Sequence, residues 1–279
     1  MSTIRFLARV LRRRLSTACA SLLDSVPWTQ APVSRVSPAA ESLFHVSVDV
    51  SHAPRLASSH TRAGQYLQLR TPGAVWPTFL AIASPPARAA AEGVFEFLVA
   101  SVPGSTAERL CRLKRGDLVE LSAVMGEGFD VDQIEPPEDY PTVLMFATGS
   151  GISPIRSLVE SRFDAARRSD VRLYYGAMNF RRMAYQDRFK YWASSGIEII
   201  PVLSEPDCNW MGEAGNVQAA FSKDIKISSP FSTGAIICGH RHMREVSLFN
   251  FYMIVSSQVV EIAFYHLSVA PLSQFDLQK

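Results

Sequence analysis

The sequence is short of cysteine, of net charge and of long apolar runs, and each shortage excludes a class of protein. Its four cysteines are scattered over 279 residues without a C-x-x-C pair, so neither a disulfide scaffold nor a cysteine-ligated metal centre is predicted. The formal net charge is +2, and much of the excess lies in the first fifteen residues, so the rest of the chain offers no basic surface for nucleic acid. Hydrophobic residues make up 47% of the chain, enough for the core of one large domain or two ordinary ones.

Acidic side chains are absent from residues 1–23, which are instead rich in arginine, serine and threonine. Apolar residues such as Phe6 and Leu11 would line one side of a helix that carries the arginines. This composition predicts an organelle transit peptide, for a chloroplast or alternatively a mitochondrion, whereas a secretory signal would need a longer apolar stretch. A disordered basic tail is the other interpretation. Residues 1–41 are therefore predicted to form a leader.

The hydrophobic pattern changes near residue 132 and divides the rest of the chain in two. Short strands of period two, separated by Gly, Pro and Ser clusters, predict an antiparallel β-barrel or sandwich over residues 42–131. Residues 132–141 are acidic and proline-rich, and are predicted to be a linker. Strands that alternate with helices, the first helix over Pro154–Ala166, then predict an α/β domain with a parallel sheet over residues 142–245.

A glycine loop connects the first strand of this α/β domain to its first helix. The segment Thr148-Gly149-Ser150-Gly151 would let the backbone approach a phosphate closely, and the helix start offers unpaired N–H groups. Pro154 fits the first helical turn, where its missing N–H has no helical partner. The loop taken alone is equally compatible with a plain strand-to-helix turn.

The segment Phe146-Ala-Thr-Gly-Ser-Gly-Ile-Ser-Pro-Ile-Arg-Ser157 resembles the nicotinamide-side loop of the ferredoxin-NADP reductase superfamily. Further segments resemble that family in the same order: Gly64-Gln-Tyr66, Ile82-Ala-Ser84, Gly104-Ser-Thr106, Tyr174-Tyr-Gly-Ala177, Val202-Leu-Ser204 and Ile237-Cys-Gly-His240. The resemblance implies a barrel that binds FAD, an α/β domain that binds NAD(P)H, and hydride transfer between the two cofactors.

The resemblance also implies which residues form the site. Cys238 would lie beside the nicotinamide and position it as the catalytic residue. The residues implied for FAD are Thr78, Leu80, Ala81, Ala83, Ser84, Gly104, Ser105 and Thr106. Those implied for the nicotinamide nucleotide are Thr148, Gly149, Ser150, Gly151, Ile152, Pro154, Gly176, Ser204, Glu205 and Gly239. Ser105 or Thr106 is alternatively an ordinary helix N-cap. His240 and His242 alone do not make a metal site, and none is predicted.

Two positions depart from the family pattern. The family's Arg-x-Tyr-Ser is replaced by Thr78-Phe79-Leu80-Ala81, which removes a phosphate-binding arginine and a ring-stacking tyrosine. Weaker or altered flavin binding is expected, and an ordinary buried strand is the alternative. Glu205 stands where NADP-specific relatives carry arginine, and a carboxylate repels a 2′-phosphate but accepts a hydrogen bond from a ribose hydroxyl. NADH is therefore predicted over NADPH, with Arg181 and Arg182 as a possible substitute phosphate site.

The C-terminal segment, residues 246–279, does not resemble the family. Its uncharged stretch over residues 247–260 ends at Glu261, short of the 18–20 apolar residues that a membrane helix needs, so a membrane anchor is the weaker interpretation. A translated intron or an erroneous gene model is the hypothesis we favour. This tail would replace the last helix and strand of the α/β domain and leave the sheet edge uncovered.

The sequence thus predicts a flavin-dependent reductase that takes hydride from a nicotinamide nucleotide and passes electrons to an unidentified, separate acceptor. The alternative is a non-catalytic flavin- or nucleotide-binding relative, or an inactive splice variant, because the flavin motif and the tail are both altered.

Overall fold

The computed structural model describes residues 28–161, 163–223, 227, 229–239 and 243, and the backbone of Val259–Glu261. The arginine-rich part of the predicted leader, and the predicted tail apart from Val259–Glu261, lie outside the described residues. Within that range the chain forms two six-stranded sheets, one from each half of the sequence.

The first sheet is an antiparallel barrel with the strand order β4-β3-β6-β1-β2-β5. Alternate residues such as Val46 and Val48 on β2, and Phe95 and Phe97 on β5, point into its core and are fully buried. The strands are β1 (Thr29–Ala40), β2 (Leu43–Asp49), β3 (Tyr66–Arg70), β4 (Thr78–Ala81), β5 (Val94–Ala100) and β6 (Leu118–Leu121).

Strand β1 corrects the predicted domain boundary. It lies inside residues 1–41, which were predicted to be a leader, yet it pairs with β2 on one side and β6 on the other. Ala31 and Val33 supply buried side chains to the barrel core. Pro32 and Pro38 hid this strand from the sequence analysis, because proline usually argues against a strand with neighbours on both sides. The barrel therefore begins at Thr29.

Three short helices cover the barrel: α1 (Pro54–Ser59), α2 (Pro86–Glu92) and α3 (Thr106–Cys111). The first two begin with proline, whose fixed φ suits a first helical turn. Helix α2 ends at Gly93 with a φ of 64°, a conformation that favours glycine. Helix α3 has Ser105 as its N-cap, one of the two residues that the sequence offered for that role.

The second sheet is parallel throughout and has the order β10-β9-β8-β7-β11-β12. Its strands are β7 (Thr142–Thr148), β8 (Asp170–Ala177), β9 (Glu198–Leu203), β10 (Glu213–Ala214), β11 (Thr233–Cys238) and β12 (Val259–Glu261). Its helices are α4 (Ile152–Val159), α5 (Phe189–Ser194) and α6 (Val217–Lys223). Helix α4 ends at Val159, well before the predicted Ala166; Asp164 then adopts a φ of 51°, and Ala165–Arg167 forms a separate 3₁₀ turn.

Strand β12 corrects the expectation that the tail leaves the sheet edge uncovered. Its backbone pairs in parallel with β11, Val259 opposite Ala235 and Glu261 opposite Ile237. Strand β12 therefore provides hydrogen-bond partners for backbone groups along part of the β11 edge. The origin of the tail stays an open hypothesis.

The two domains share an apolar core. Leu43, Ala63 and Leu98 of the barrel belong to the same buried cluster as Tyr185 and Trp192 of the α/β domain. The predicted linker also packs here, since Ile134 is fully buried. The described part of the chain contains no helix that is both long and apolar enough to cross a membrane.

Candidate active site

The crevice at the carboxyl edge of the parallel sheet lies where the strand order reverses. From β7 the chain moves outward through β8 and β9 to β10, and then returns to β11 on the opposite side of β7. The carboxyl ends of β7 and β11 therefore lie side by side at the point where the strand order reverses. Ligands of open α/β sheets bind at this kind of switch point.

The glycine loop lies against the end of β11 in direct backbone contact. A Cβ atom on Gly151 would lie 2.5 Å from the Cys238 carbonyl oxygen and 2.6 Å from Gly239 Cα, so only glycine fits. Gly239, with a φ of 153°, is similarly close to Thr148. Gly149 has a φ of 52° and open space beside its Cα. The loop thus combines two backbones in close contact with one open side, which is the form of a phosphate cradle.

The side chain of Tyr175 on β8 contacts the glycine loop through its hydroxyl. Its hydroxyl donates to the Gly149 carbonyl oxygen at 3.5 Å and accepts from the Ala184 backbone N–H at 3.0 Å. Burial raises the pKa of this phenol far above its usual range, so it stays protonated and able to donate. The glycine loop therefore accepts a hydrogen bond from the neighbouring strand β8.

The structure divides the predicted site residues into an accessible and a buried set. The accessible or half-buried residues are Thr78, Ala81, Gly104, Ser105, Thr106, Thr148, Gly149, Ser150, Gly151, Ser204, Glu205 and Gly239. The buried residues are Leu80, Ala83, Ser84, Ile152, Pro154, Gly176 and Cys238. In this conformation a ligand could contact the accessible residues directly, whereas the buried ones lie within the packed protein.

Cys238 ends β11, opposite Ala147 of β7, and its side chain is fully buried in the core shared by the two domains. Its carbonyl oxygen faces Gly151. The predicted positioning role of Cys238 is thus compatible with its place directly under the glycine loop, and it stays a prediction.

On the barrel side, the aromatic surface lies one residue away from the predicted position. Leu80 points into the barrel core, whereas Phe79 lies on the opposite face of β4 and its ring packs near that of Tyr66, with centroids 6.2 Å apart. Both rings are half-buried. The family motif implied Leu80 for the ring-facing position, whereas the alternation of the strand makes Phe79 the aromatic residue on the other face; a contact of either residue with a flavin stays a prediction.

Ser84 and Ala83 lie at the junction of the two domains. The Ser84 hydroxyl accepts a hydrogen bond from the Glu96 N–H at 3.2 Å, and its carbonyl oxygen accepts one from the Ser157 hydroxyl of α4 at 2.9 Å. Both polar groups are engaged within the protein. Ser84 therefore connects the barrel to the α/β domain through hydrogen bonds.

At the start of α3, the predicted phosphate-binding residues form a helix cap. Ser105 Oγ accepts from the Glu108 N–H at 3.2 Å, and the Glu108 carboxylate accepts from the Gly104 N–H at 2.8 Å. This pattern is a variant of the capping box, in which the carboxylate accepts from Gly104, the residue before the N-cap, instead of from Ser105. Thr106 Oγ1 donates to the Trp76 carbonyl oxygen at 2.6 Å. A flavin pyrophosphate at this point would have to displace the Glu108 carboxylate from Gly104.

Ser204 and Glu205 are exposed after β9, at the same sheet edge as the loop after β8. The Glu205 N–H donates to the Met178 carbonyl oxygen at 2.7 Å, which holds the two loops together. Arg181 and Arg182, the possible phosphate ligands, both face Glu41 of the barrel, at 3.8 and 3.5 Å. Part of their positive charge is therefore already balanced.

Sequence reasoning missed a group of polar residues that joins the two domains. Arg156 of α4 donates to Glu96 of β5 at 2.6 Å and to Glu160 at 3.2 Å, and its guanidinium lies 5.1 Å from the Tyr185 ring centroid. The Tyr185 ring in turn lies 5.0 Å from that of His45 on β2. These residues are far apart along the chain, so no local motif could have joined them.

The electrostatics of this group follow from its burial. Burial alone would lower the pKa of Arg156, but Tyr185 and the carboxylates of Glu96 and Glu160 raise it above its ordinary value. The guanidinium is therefore charged at every accessible pH. Burial lowers the pKa of His45, and the Arg156 charge lowers it further.

The residues fit the expected cofactors. The cradle formed by Gly149, Gly151 and Gly239 suits a dinucleotide pyrophosphate, and Tyr66 and Phe79 offer an aromatic surface for a flavin ring. In the part of the chain that the structure describes, no three His, Cys, Asp or Glu side chains are grouped closely enough to hold a metal ion.

Comparisons with known proteins agree with this geometry. Residues 145–247 match the oxidoreductase NAD-binding domain family. The chain is 50% identical over 245 residues to the fruit protein pKIWI502 of Actinidia deliciosa, which covers 84% of this chain and 77% of the relative. It is 30% identical over 202 residues to the gamma subunit of sulfhydrogenase 1 of Pyrococcus furiosus, covering 68% of this chain and 63% of that subunit.

A solved structure shows the same two-domain fold. The ferredoxin NADP+ reductase of Neisseria gonorrhoeae, with bound FAD and NADP, superposes with a TM-score of 0.68 at 18% identity, covering 84% of this chain and 98% of that one. The strand order, the glycine loop and these matches lead to one assignment: the chain belongs to the ferredoxin-NADP reductase-like family of flavoprotein oxidoreductases.

Proposed function

We propose that this protein is an FAD-dependent reductase that takes hydride from NADH and passes electrons to a separate acceptor protein or molecule. The observation that carries the proposal is the backbone contact between Gly151 and the end of β11 at the switch point of the sheet. Glycine at this contact lets the loop lie against the end of β11, while Gly149 keeps one side of the loop open, and a loop of this kind before a helix favours the phosphates of a dinucleotide.

The chain's own residues bind and orient the cofactors. The N–H groups of the Gly149–Gly151 loop and the start of α4 bind the pyrophosphate of the nicotinamide nucleotide. Tyr66 and Phe79 contact the flavin ring, and the seam between Ser84 and Ser157 keeps water out of the space behind it. When bound, the flavin supplies the capacity to accept a hydride and to release electrons.

The purified protein tests this proposal directly. We expect a flavin-type visible absorbance that bleaches when NADH is added without oxygen. Colourless protein that does not bind FAD, or a spectrum that NADH leaves unchanged, would contradict it.

The proposed preference for NADH rests on Glu205 and on the pairing of Arg181 and Arg182 with Glu41. The exposed Glu205 carboxylate accepts a hydrogen bond from the ribose 2′-hydroxyl and repels a 2′-phosphate. Turnover measured with each nucleotide checks this. A preference for NADPH of more than about tenfold, roughly 1.4 kcal/mol, would show that the role given to Glu205 is wrong.

A second candidate function is a binding protein that retains the fold without turnover. The capping of α3 by Glu108, at the place expected for the flavin pyrophosphate, favours this candidate. It predicts that NADH binds, as measured by calorimetry, while the protein is isolated without flavin and does not retain added FAD.

We further propose that the N-terminal segment directs the protein to an organelle, a chloroplast in the first instance and a mitochondrion in the second. The run of arginines without acidic residues supports this. A fluorescent protein fused behind residues 1–41 should enter plastids, and fluorescence that stays in the cytosol would contradict the proposal.

A further inference from the structure

Helix α4 carries the glycine loop at one end and two bridges to the barrel in its middle. It begins at Ile152, directly after Gly151, and all eight of its residues are buried. Arg156 Nη2 donates to Glu96 Oε2 at 2.6 Å, and Ser157 Oγ donates to the Ser84 carbonyl oxygen at 2.9 Å. The helix that starts at the nucleotide loop is thus fixed to the barrel by successive residues.

The two bridges end at one point of the barrel. The Glu96 N–H donates to Ser84 Oγ at 3.2 Å, so the two residues that accept the bridges are joined by a hydrogen bond between other atoms of theirs. Strand β4, which carries Phe79, ends at Ala81, and Ser84 lies three residues after that end. The same few atoms therefore set the distance between the glycine loop and the aromatic face of the barrel.

Arg156 is the centre of these contacts, and we call the group Arg156, Ser157, Ser84 and Glu96 the junction. The Arg156 side chain is 3% exposed and forms an ion pair with one carboxylate of each domain: Glu96 of the barrel, and Glu160 directly after α4. Glu160 is held in turn by Trp192 Nε1 at 3.2 Å. A guanidinium has the planar set of donors that this arrangement needs, whereas a lysine ammonium reaches one carboxylate well and the other poorly.

We propose that the Arg156–Glu96 pair is an inter-domain positioning device that sets the approach of the bound nicotinamide to the flavin. The inference rests on the proposed function, because it assigns these residues to the geometry of hydride transfer. A displacement of about 1 Å between reacting groups can lower a rate by roughly a hundredfold. Arg156 and Glu96 touch neither cofactor in this assignment and act through α4 and Ser84.

The test compares Arg156→Lys and Glu96→Gln with Arg172→Gln as a control. Arg172 also makes close contacts with an acidic partner, Asp170, at 2.9 and 2.7 Å, but at the amino end of β8, away from the crevice. The first measurement is anaerobic flavin reduction at saturating NADH. We expect at least a tenfold lower rate in Arg156→Lys and Glu96→Gln, an NADH dissociation constant within twofold of the wild type, and a wild-type rate in the control.

The second measurement does not depend on turnover. Amide hydrogen exchange of the peptides around Ile82–Ser84 and Ser150–Ile152 should be at least tenfold faster in the two junction variants and unchanged in Arg172→Gln. Junction variants that match the wild type in both rate and exchange would overturn the proposal. A wild-type protein that binds no flavin, or is not bleached by NADH, contradicts the proposed function instead, so the two failures are distinguishable. Glu96→Gln keeps an acceptor oxygen and the size of the side chain, so the test remains available if Arg156→Lys does not fold.

Discussion

Phe79 and Leu80 are neighbours on strand β4 with opposite surroundings. Leu80 packs among the buried residues of the barrel, and Phe79 lies on the other face beside Tyr66. Since the family motif places its stacking residue at the position of Leu80, the loss of the tyrosine looked like a loss of flavin binding. Because side chains alternate along the strand, we expect Phe79 to make this contact instead.

We therefore predict different defects for two single substitutions. Phe79→Ala should lower FAD affinity about tenfold, because it removes an aromatic contact of roughly 1.4 kcal/mol, while the unfolding free energy changes little. Leu80→Ala should lower the unfolding free energy by about 2–5 kcal/mol through a core cavity, with nearly normal FAD affinity in the folded protein. Fluorescence titration with FAD and urea unfolding measure the two effects. If the defects were exchanged, the assignment of Phe79 would be wrong.

His60 provides a prediction about pH. Its side chain is 2% exposed, and its ring packs edge-on against Phe95, with centroids 6.0 Å apart. Burial lowers the pKa of His60 to about 4. Because an unfolded histidine has a pKa near 6.5, the unfolded state binds the proton more strongly, and stability falls as the pH drops through the window from about 6.5 to 4.

The variant His60→Phe keeps the ring contact and removes the titration. Between pH 7.5 and pH 5, the wild type should lose about 2 kcal/mol of unfolding free energy more than the variant. Urea unfolding of both proteins at the two pH values gives this difference. An equal loss in wild type and variant would mean that His60 is not buried in its neutral form.

Among the larger elements, the segment between the domains is fixed to the α/β domain rather than free. The buried guanidinium of Arg168 donates to the carbonyl oxygens of Ile134 and Tyr140, at 3.0 and 2.8 Å, and to the Glu135 carboxylate at 2.9 Å. One side chain thus fixes three points of the predicted linker. The acidic and proline-rich composition had indicated only a connection between domains.

Arg168→Met should lower the unfolding free energy by about 3–5 kcal/mol, because it leaves buried polar groups without their donor. The neighbouring Arg167 is the matched control: it pairs with Glu138 at 2.6 Å, but both side chains are more than half exposed. Arg167→Met should change stability by less than about 0.5 kcal/mol. Thermal unfolding of the two variants side by side decides between these roles, and equal effects would contradict the docking of the linker.

The elements that the sequence predicted are those with a strong local signal. The alternation on β2 and β5, the buried run of β7 and the glycines at 149, 151 and 239 identify strands, loop and cradle directly. Strand β1 was missed because Pro32 and Pro38 interrupt its pattern, although its partners tolerate them. The junction around Arg156 was missed because its partner Glu96 lies 60 positions away in sequence. Local sequence patterns thus predict strands, helices and turns. Contacts between the domains can be identified only from the folded structure, because their residues lie far apart in sequence.

At the scale of the whole molecule, the shared core couples the two domains. Leu43 and Leu98 of the barrel are buried in the cluster that also contains Trp192. Exposure of that cluster by unfolding of one domain would cost about 1.5–3 kcal/mol for each large apolar side chain, so partial unfolding is unfavourable.

We therefore predict a single unfolding transition. The fluorescence of the tryptophans, among them the buried Trp192, and the far-ultraviolet circular dichroism should change with the same urea midpoint. Leu98→Ala should lower that midpoint and separate the two signals, because it weakens the contact between the domains. Two transitions in the wild-type protein would contradict the coupling.

The central place of β1 in the barrel limits where a protease can mature the protein. The strand lies between β2 and β6, and just before it the Trp28 ring stacks on the Arg70 guanidinium at 4.0 Å. Removal of Thr29–Ala40 would take away the strand that joins the two halves of the barrel and would open it along its length. For the organelle import that we propose, we therefore expect cleavage upstream of Trp28, so that the N-terminal peptide of the mature protein begins at or before Trp28.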